Sequence, residues 1–311
     1  VTPKRAYDRI KQLLGDRCAF DVPMAPLTTW RVGGKADCLV RPETAEEVTE
    51  VVRLCLEYNV PLRVVGIGSN LLILDGGLRG VTILMRQGFN QFQVEWLDDE
   101  TALARVGAAM TMAEAVENCI VNGVAGLEFL AGIPGGIGGG VRMNAGTRDG
   151  DISRVLHAVT VVDGDGNVRR IPRDKLVYRY RGLVIDGPYV VLEAELKLRR
   201  GNSTAIREKV DKIIAWRYER HPYDLPSGGS TFKNPEDQFA ACLIEDAGLK
   251  GYSIGGAEVS RKHSNFIVNT GEARAADILA LIEHVRQVVF EKFGVMLEPE
   301  VKIWGEKDVA E

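Results

Sequence analysis

The sequence predicts an α+β protein, with a mixed, two-lobed front portion followed by a smaller α/β module. Three observations carry that expectation. Apolar residues recur at helical spacing in some blocks and at period two in others. Pattern and polarity change together at Arg199-Arg200-Gly201-Asn202-Ser203, which reads as a linker. The chain also has 311 residues, long for one core and comfortable for two or three domains. The expected boundaries are 1–86 and 87–201 for the two lobes, 202–303 for the smaller module, and 304–311 for a tail.

Residues 1–20 read as a short helix with Ile10, Leu13 and Leu14 on one face. APLTTWRVGGKAD follows, with Gly33 and Gly34 after an expected strand. Thr44 and Glu47 make a capping box for a helix carrying Val48, Val51, Val52, Cys55 and Leu56 at helical spacing. Pro61 closes that helix, and Leu62–Val65 is a buried strand delivering the loop GIGSN; Val81–Met85 is a further strand. The period then shifts to two. Phe92–Leu97 and Ala102–Val106 flank the polar turn Asp98-Asp99-Glu100 and predict a hairpin. Thr111 and Glu114 box a helix through Val121. Val155–Val162 and Val168–Ile171 predict a second hairpin around Asp163–Asn167, and Tyr189–Leu198 is the longest strand candidate.

The last third predicts a helix from Thr204 to Arg220, stopped by Pro222. A loop holding SGGSTFKNP, a short helix Phe239–Ala247 and a strand Phe266–Val268 come next. A long helix Ala273–Phe293 turns Ile278, Leu281, Ile282, Val285, Val288 and Val289 inward, and Val295–Ile303 is read as a final strand interrupted by Pro299.

A net charge of −4 gives no footing for nucleic acid. Five cysteines without a CxxC pair read as reduced core thiols, so a cytoplasmic protein without a metal site is expected. No apolar run reaches the ~18 residues of a membrane span, and the N-terminal stretch lacks a signal-peptide core.

The most unusual stretch is LAGIPGGIGGGVRMNAG, with seven glycines between Gly132 and Gly146. Glycine reaches φ > 0 cheaply and keeps no side chain between a ligand and the backbone, so such a run suits a loop whose N–H groups converge on a phosphate. A plain glycine-rich turn is the alternative. The second loop, GIGSNLL from Gly66, favours ligand binding. No Lys-Ser/Thr pair follows Gly140, and neither loop has the G-x-G-x-x-G spacing before a helix. Two loops gripping one extended ligand is the picture that survives.

Side chains with chemistry cluster elsewhere. Ser230 follows two glycines and precedes Lys233 and Asn234, without a G-x-S-x-G elbow; it is either a turn serine or a hydroxyl acid. Tyr178-Arg179-Tyr180-Arg181 alternates aromatic and guanidinium groups, suited to a carboxylate or diphosphate or else to a solvated edge strand. Glu298 and Glu300 share strand parity about Pro299. Lys262-His263 beside Asn265 offers phosphate or sugar ligands, or a polar turn.

In this order, TTWRVGGKAD, GIGSNLL, LAGIPGGIGGGVRMNAG, YRYR, GGSTFKNP, GGAEVSRKHSNFIVN and LEPEV resemble the UDP-N-acetylenolpyruvoylglucosamine reductase family, from about residue 20 to 303. These are flavoenzymes completing UDP-N-acetylmuramate for peptidoglycan, with roles in cell-wall biogenesis, cell shape and division. The resemblance implies a two-lobed FAD-binding portion of the vanillyl-alcohol-oxidase-like type and a smaller α/β substrate domain. It implies FAD as cofactor, NADPH as electron donor and UDP-N-acetylglucosamine enolpyruvate as substrate.

Residue by residue, the family's serine acid falls on Ser230, its arginine on Arg181 and its glutamate on Glu300. Arg179 competes for the arginine role, but the aromatic-x-Tyr-Arg frame favours Arg181. The FAD contacts implied are Arg31 and Gly33; Gly66, Gly68, Ser69, Asn70 and Leu71; and Gly132, Ile133, Pro134, Gly135, Gly138, Gly139, Asn144, Ala145 and Gly146. Tyr180, Lys233, Asn234, Lys262 and Lys302 are the implied substrate contacts. Leu183 departs from the pattern, standing where the family usually has a serine. The short interval from Arg181 to Ser230 resembles the compact class without an inserted substrate loop. Two rivals keep a flavin: an oxidase passing electrons to oxygen, and a sensor without turnover.

Overall fold

A computed structural model describes residues 3–179, 181–185 and 187–307. The chain divides into two compact units interleaved along the sequence. One comprises Val1–Phe20, Cys38–Ile67 and Gly80–Trp216; the other comprises Asp21–Asp37, Gly68–Arg79 and Arg217–Glu311.

In the first unit, helix Pro3–Leu14 buries Ala6, Ile10 and Leu14 and packs on helix Ala45–Glu57. The latter starts where Thr44 Oγ1 accepts the Glu47 N–H (3.3 Å), half of the expected capping box; the Glu47 carboxylate accepts the Glu43 N–H (2.7 Å). Strands Cys18–Pro23, Lys35–Val40, Leu78–Leu84 and Leu62–Val65 form a four-stranded sheet in that order, with Asp21–Pro23, Lys35–Asp37 and Leu78–Arg79 counted in the other unit. A six-stranded sheet is centred on the long strand Tyr189–Arg200. Leu156–Asp163 and then Val168–Pro172 lie on one side of it, Thr101–Gly107 and then Phe92–Trp96 on the other, and Val124–Ala125 pairs with its end. All these pairings are antiparallel. Both expected hairpins form, because an aspartate ties each turn. Asp98 Oδ1 accepts the Glu100 and Thr101 N–H groups, and Asp163 Oδ1 accepts those of Asp165 and Asn167.

Corrections are needed, beginning with the strand expected before Gly33 and Gly34, which instead follows them as Lys35–Val40. The run 199–203 is not a free linker: Arg199 and Arg200 finish the central strand, and Ser203 opens helix Ser203–Arg220. The glycine run is not loop throughout either, since Ile137–Met143 is helical and packs on strand Tyr189–Arg200. Three glycines disfavour a helix, but a side chain would not fit at two of them. A Cβ on Gly140 would lie 2.7 Å from both Ile152 Cδ1 and Met112 Cε, and one on Gly138 would lie 2.9 Å from Ala108 Cβ. Close packing overrides propensity.

The second unit holds a four-stranded antiparallel sheet in the order Ser227–Ser230, Phe266–Asn269, Ala257–Val259, Ser253–Ile254. Helix Ala275–Phe293 lies on its Ser253–Ile254 and Ala257–Val259 strands and buries Ile278, Leu281, Ile282, Val285 and Val289. Asp75, two hundred positions away, accepts the Ala275 and Ala276 N–H groups (3.1 and 2.9 Å) and so caps that helix. The expected final strand Val295–Ile303 shortens to Lys302–Trp304, which pairs in parallel with Leu71–Ile73. Pro299 lacks the N–H that would extend a ladder and makes only a single bridge to Phe232. Among the described residues, no helix is long and apolar enough to cross a membrane.

Candidate active site

In the second unit, TTWRVGG supports the strand that ends at Ser230. Trp30 is fully buried and donates from Nε1 to the Ile267 carbonyl (2.8 Å). Thr29 Oγ1 donates to the Ser227 carbonyl (2.6 Å). Gly228 must be glycine, because a Cβ would lie 2.5 Å from the Trp30 ring. Gly229 then turns the chain at φ +78°. Beyond Ser230 the buried Asn265 clamps the backbone: the Phe232 N–H donates to its Oδ1 and its Nδ2 donates to the Phe232 carbonyl, both at 2.9 Å. The Thr231 N–H donates to the Asn265 carbonyl (2.8 Å). Ser230 itself is half-buried.

Glu300 is brought to this segment by the backbone. Its N–H donates to the Thr231 carbonyl (2.8 Å), and the Lys233 N–H donates to the Glu298 carbonyl (2.9 Å). Asn70 Nδ2 reaches the Glu300 carbonyl (3.4 Å), and the Lys302 N–H donates to the Asn70 carbonyl (3.0 Å). Ser230, Glu300, Lys302 and Asn70 therefore sit on neighbouring backbone segments of one unit.

The other expected substrate contacts in this unit have protein partners. Lys233 Nζ pairs with Glu298. Asn234 Oδ1 accepts the Ala240 N–H (3.1 Å) at the start of helix Ala240–Asp246, and Lys262 Nζ donates to the Tyr218 carbonyl (2.7 Å). His263 Nδ1 accepts the Asn265 N–H (3.3 Å), closing the polar turn. Its ring meets His221 edge-on at 5.2 Å, and both rings rest on Phe266. Burial lowers the pKa of both imidazoles, that of His221 to about 4, helped by the nearby His263, Arg217 and Lys262.

In the first unit, Arg181 lies in the turn between strands Val177–Arg179 and Gly182–Val184 at φ +56°. Tyr180 lies outside the described residues. Arg181 is half-buried, whereas Arg179 is exposed. Leu183 is buried in the apolar core opposite Tyr178, whose own hydroxyl is buried and whose pKa burial raises. Arg173 lies over the Tyr178 ring at 5.0 Å. Arg31, Asn144 and Arg181 are three of the six described non-glycine residues at positive φ. Backbone strain of this kind, about 1 kcal/mol or more each, persists where surrounding structure enforces it and gathers at functional positions.

The glycines of the expected cofactor loops are of two kinds. At some of them packing forbids a side chain: a Cβ on Gly33 would lie 2.8 Å from Ile73 Cβ, one on Gly68 2.5 Å from the Leu27 carbonyl oxygen, and one on Gly146 2.4 Å from the Gly150 carbonyl oxygen. Gly66 and Gly139 are different, since a Cβ on either would meet nothing within 4 Å. Asn144 ends the glycine helix in the left-handed conformation, and its Oδ1 accepts the Ser153 N–H (2.9 Å). The Ala145 N–H donates to the Gly140 carbonyl (2.8 Å). The sequence pointed to neither Trp30 nor Asn265 as a positioning residue. The available signals were a tryptophan before a glycine pair and an asparagine entering an apolar strand.

Residues 36–172 match the FAD binding domain family. With the α+β architecture and the glycine loops, this defines the chain as an FAD-dependent oxidoreductase of the vanillyl-alcohol-oxidase-like fold. Residues 221–304 match the UDP-N-acetylenolpyruvoylglucosamine reductase C-terminal domain. UDP-N-acetylenolpyruvoylglucosamine reductase of Clostridium botulinum (strain Okra / Type B1) is 45% identical over 290 residues, covering 93% of both chains. That of Clostridium perfringens (strain SM101 / Type A) is 43% identical over 305 residues, 96% of this chain and 98% of its own. The solved reductase of Thermus caldophilus has a TM-score of 0.79 at 34% identity, over 93% of this chain and 98% of its own. The chain belongs to the UDP-N-acetylenolpyruvoylglucosamine reductase family. The residues present fit FAD: Gly66 and Gly139 present open, side-chain-free backbone of the kind a diphosphate approaches.

Proposed function

We propose that the chain catalyses the NADPH-dependent reduction of UDP-N-acetylglucosamine enolpyruvate to UDP-N-acetylmuramate in peptidoglycan synthesis, as a cytoplasmic enzyme contributing to cell shape and division. The observation that carries this reading is the family match over nearly the whole chain, at 43–45% identity. Arg31, Gly33, the Gly66–Leu71 loop and the glycine-rich segment would hold FAD, which, reduced by NADPH, would supply a hydride for the enolpyruvyl methylene carbon. Negative charge then develops at the neighbouring carbon and spreads into the carboxylate. Ser230 is the proton donor to that carbon; an enolate is basic enough to take a proton from a hydroxyl. Arg181 meets the developing charge through its fork of donors. Glu300 orients the carboxylate end, sharing a proton with it or staying protonated in the closed site.

In this proposal 1–86 and 87–201 are the FAD-binding lobes and 202–303 the substrate-binding domain. Tyr180, Lys233, Asn234, Lys262 and Lys302 contact the UDP-sugar, for which Lys233 would exchange Glu298 and Lys262 the Tyr218 carbonyl for substrate oxygens. The direct test mixes purified protein with NADPH and the enolpyruvyl UDP-sugar and follows absorbance at 340 nm. Substrate-dependent loss of NADPH supports the proposal. Peroxide formation with a simple alcohol, or flavin reduction without turnover, would favour an oxidase or a sensor instead.

A further inference from the structure

Cys18 and Cys38 lie on adjacent strands of the four-stranded sheet, at positions 1% and 0% exposed, with their sulfurs 3.7 Å apart. Both belong to the first unit. Cys55 and Cys119 are buried as well, and desolvation pushes each of those thiols up to about 12, which keeps them protonated. Cys242 is exposed. Of the five cysteines, Cys18 and Cys38 are described in sulfur–sulfur contact.

We propose that Cys18 and Cys38 form a dithiol that hydrogen peroxide converts to an intramolecular disulfide. The Cys18 thiolate attacks a peroxide oxygen, the O–O bond breaks, and hydroxide leaves, giving the sulfenic acid. Cys38 sulfur then attacks the Cys18 sulfur, the S–O bond breaks, the S–S bond forms, and water departs with the thiol proton. Two thiols lose two electrons and two protons, and one peroxide becomes two waters. Several features make Cys18 the attacking sulfur. Contact with the Cys38 thiol lowers its pKa below the ordinary thiol value, and the nearby Lys11 ammonium acts in the same direction. Lys11 Nζ donates to the Cys18 carbonyl (2.8 Å), which holds the ammonium there. The buried partner sulfur captures the sulfenic acid before a second peroxide reaches it.

The bond would close the ends of the stretch containing TTWRVGG, and with it Arg31, Gly33 and Trp30. Because ring closure restricts the unfolded chain, oxidation should raise the unfolding temperature, on the order of 5 °C.

The test treats the Cys242→Ser variant of the full chain, FAD-loaded, with hydrogen peroxide and then alkylates free thiols. The proposal expects a mass loss of about 2 Da before alkylation, two fewer alkyl groups taken up after it, and complete reversal by dithiothreitol. Trypsin cuts the chain so that Cys18 lies on the peptide 18–31 and Cys38 on 36–53, each with no other cysteine. These two should appear cross-linked, and Cys18→Ser should abolish the cross-link. Mapping the unmutated chain gives the same readout should a variant fold poorly. Two results overturn the proposal: a gain of oxygen located by fragmentation on the Cys18 or Cys38 sulfur without a cross-link, or both thiols still free once Cys242 in the unmutated chain is fully oxidised.

Discussion

Gly139 and Gly140 are neighbours on one short helix, and the structure assigns them opposite responses to the same substitution. At Gly139 a methyl group meets nothing within 4 Å, so Gly139→Ala should gain the ordinary helix preference, about 0.5–1 kcal/mol, in the FAD-free protein. At Gly140 the methyl arrives 2.7 Å from Ile152 Cδ1 and Met112 Cε, and overpacking of about 1–3 kcal/mol outweighs that gain. Cofactor binding should invert the order. If the open face of Gly139 backs the FAD diphosphate, its methyl displaces one charge-assisted hydrogen bond worth about 1.5–3 kcal/mol, a roughly 10- to 100-fold weaker Kd. Gly140→Ala should bind FAD nearly normally once folded. Urea unfolding of the FAD-free proteins and titration of FAD by flavin fluorescence measure both quantities. Unchanged FAD affinity in Gly139→Ala, or greater stability in Gly140→Ala, would refute the assignment.

Asn265→Ala should destabilise the chain by about 2–4 kcal/mol in urea unfolding, because the Phe232 N–H and carbonyl are left buried without their partner; a change under ~1 kcal/mol would show that the clamp is dispensable. Arg181→Lys should slow flavin reoxidation by the enolpyruvyl sugar at least ~10-fold in stopped flow, since a point charge does not reproduce the guanidinium fork; normal turnover would move the role to Arg179. The folded state holds His221 neutral down to about pH 4, while the unfolded chain takes up its proton near 6.5. Stability from this group is therefore full above about pH 6.5 and is lost as pH falls toward 4. After discounting for partial exposure, His221→Gln should flatten the acid slope of stability by up to about 1 kcal/mol per pH unit; an unchanged slope in acid urea titrations would contradict it.

Local chemistry made much of the fold readable. The Thr44 and Thr111 caps and the aspartates of both hairpin turns act within a few residues, so their positions follow from spacing. The interleaving of the two units did not follow, because it depends on pairings such as Leu71–Ile73 with Lys302–Trp304 and Asp75 with the start of helix Ala275–Phe293. The glycine helix was hidden for a related reason: tertiary crowding at Gly138 and Gly140 overrides a composition that argues for loop. Ser230 and Glu300 were visible as motifs. Their adjacency rests on the Thr231 carbonyl, Asn265 and Trp30, groups that no local pattern connects.

The most direct measurement of the mechanism separates the two half-reactions of Ser230→Ala by stopped flow. Flavin reduction by NADPH should stay within about twofold of the unmutated protein, while reoxidation by the enolpyruvyl UDP-sugar should slow by ~10²-fold or more. Reoxidation at the unmutated rate would contradict the account, because the proton would then come from another group.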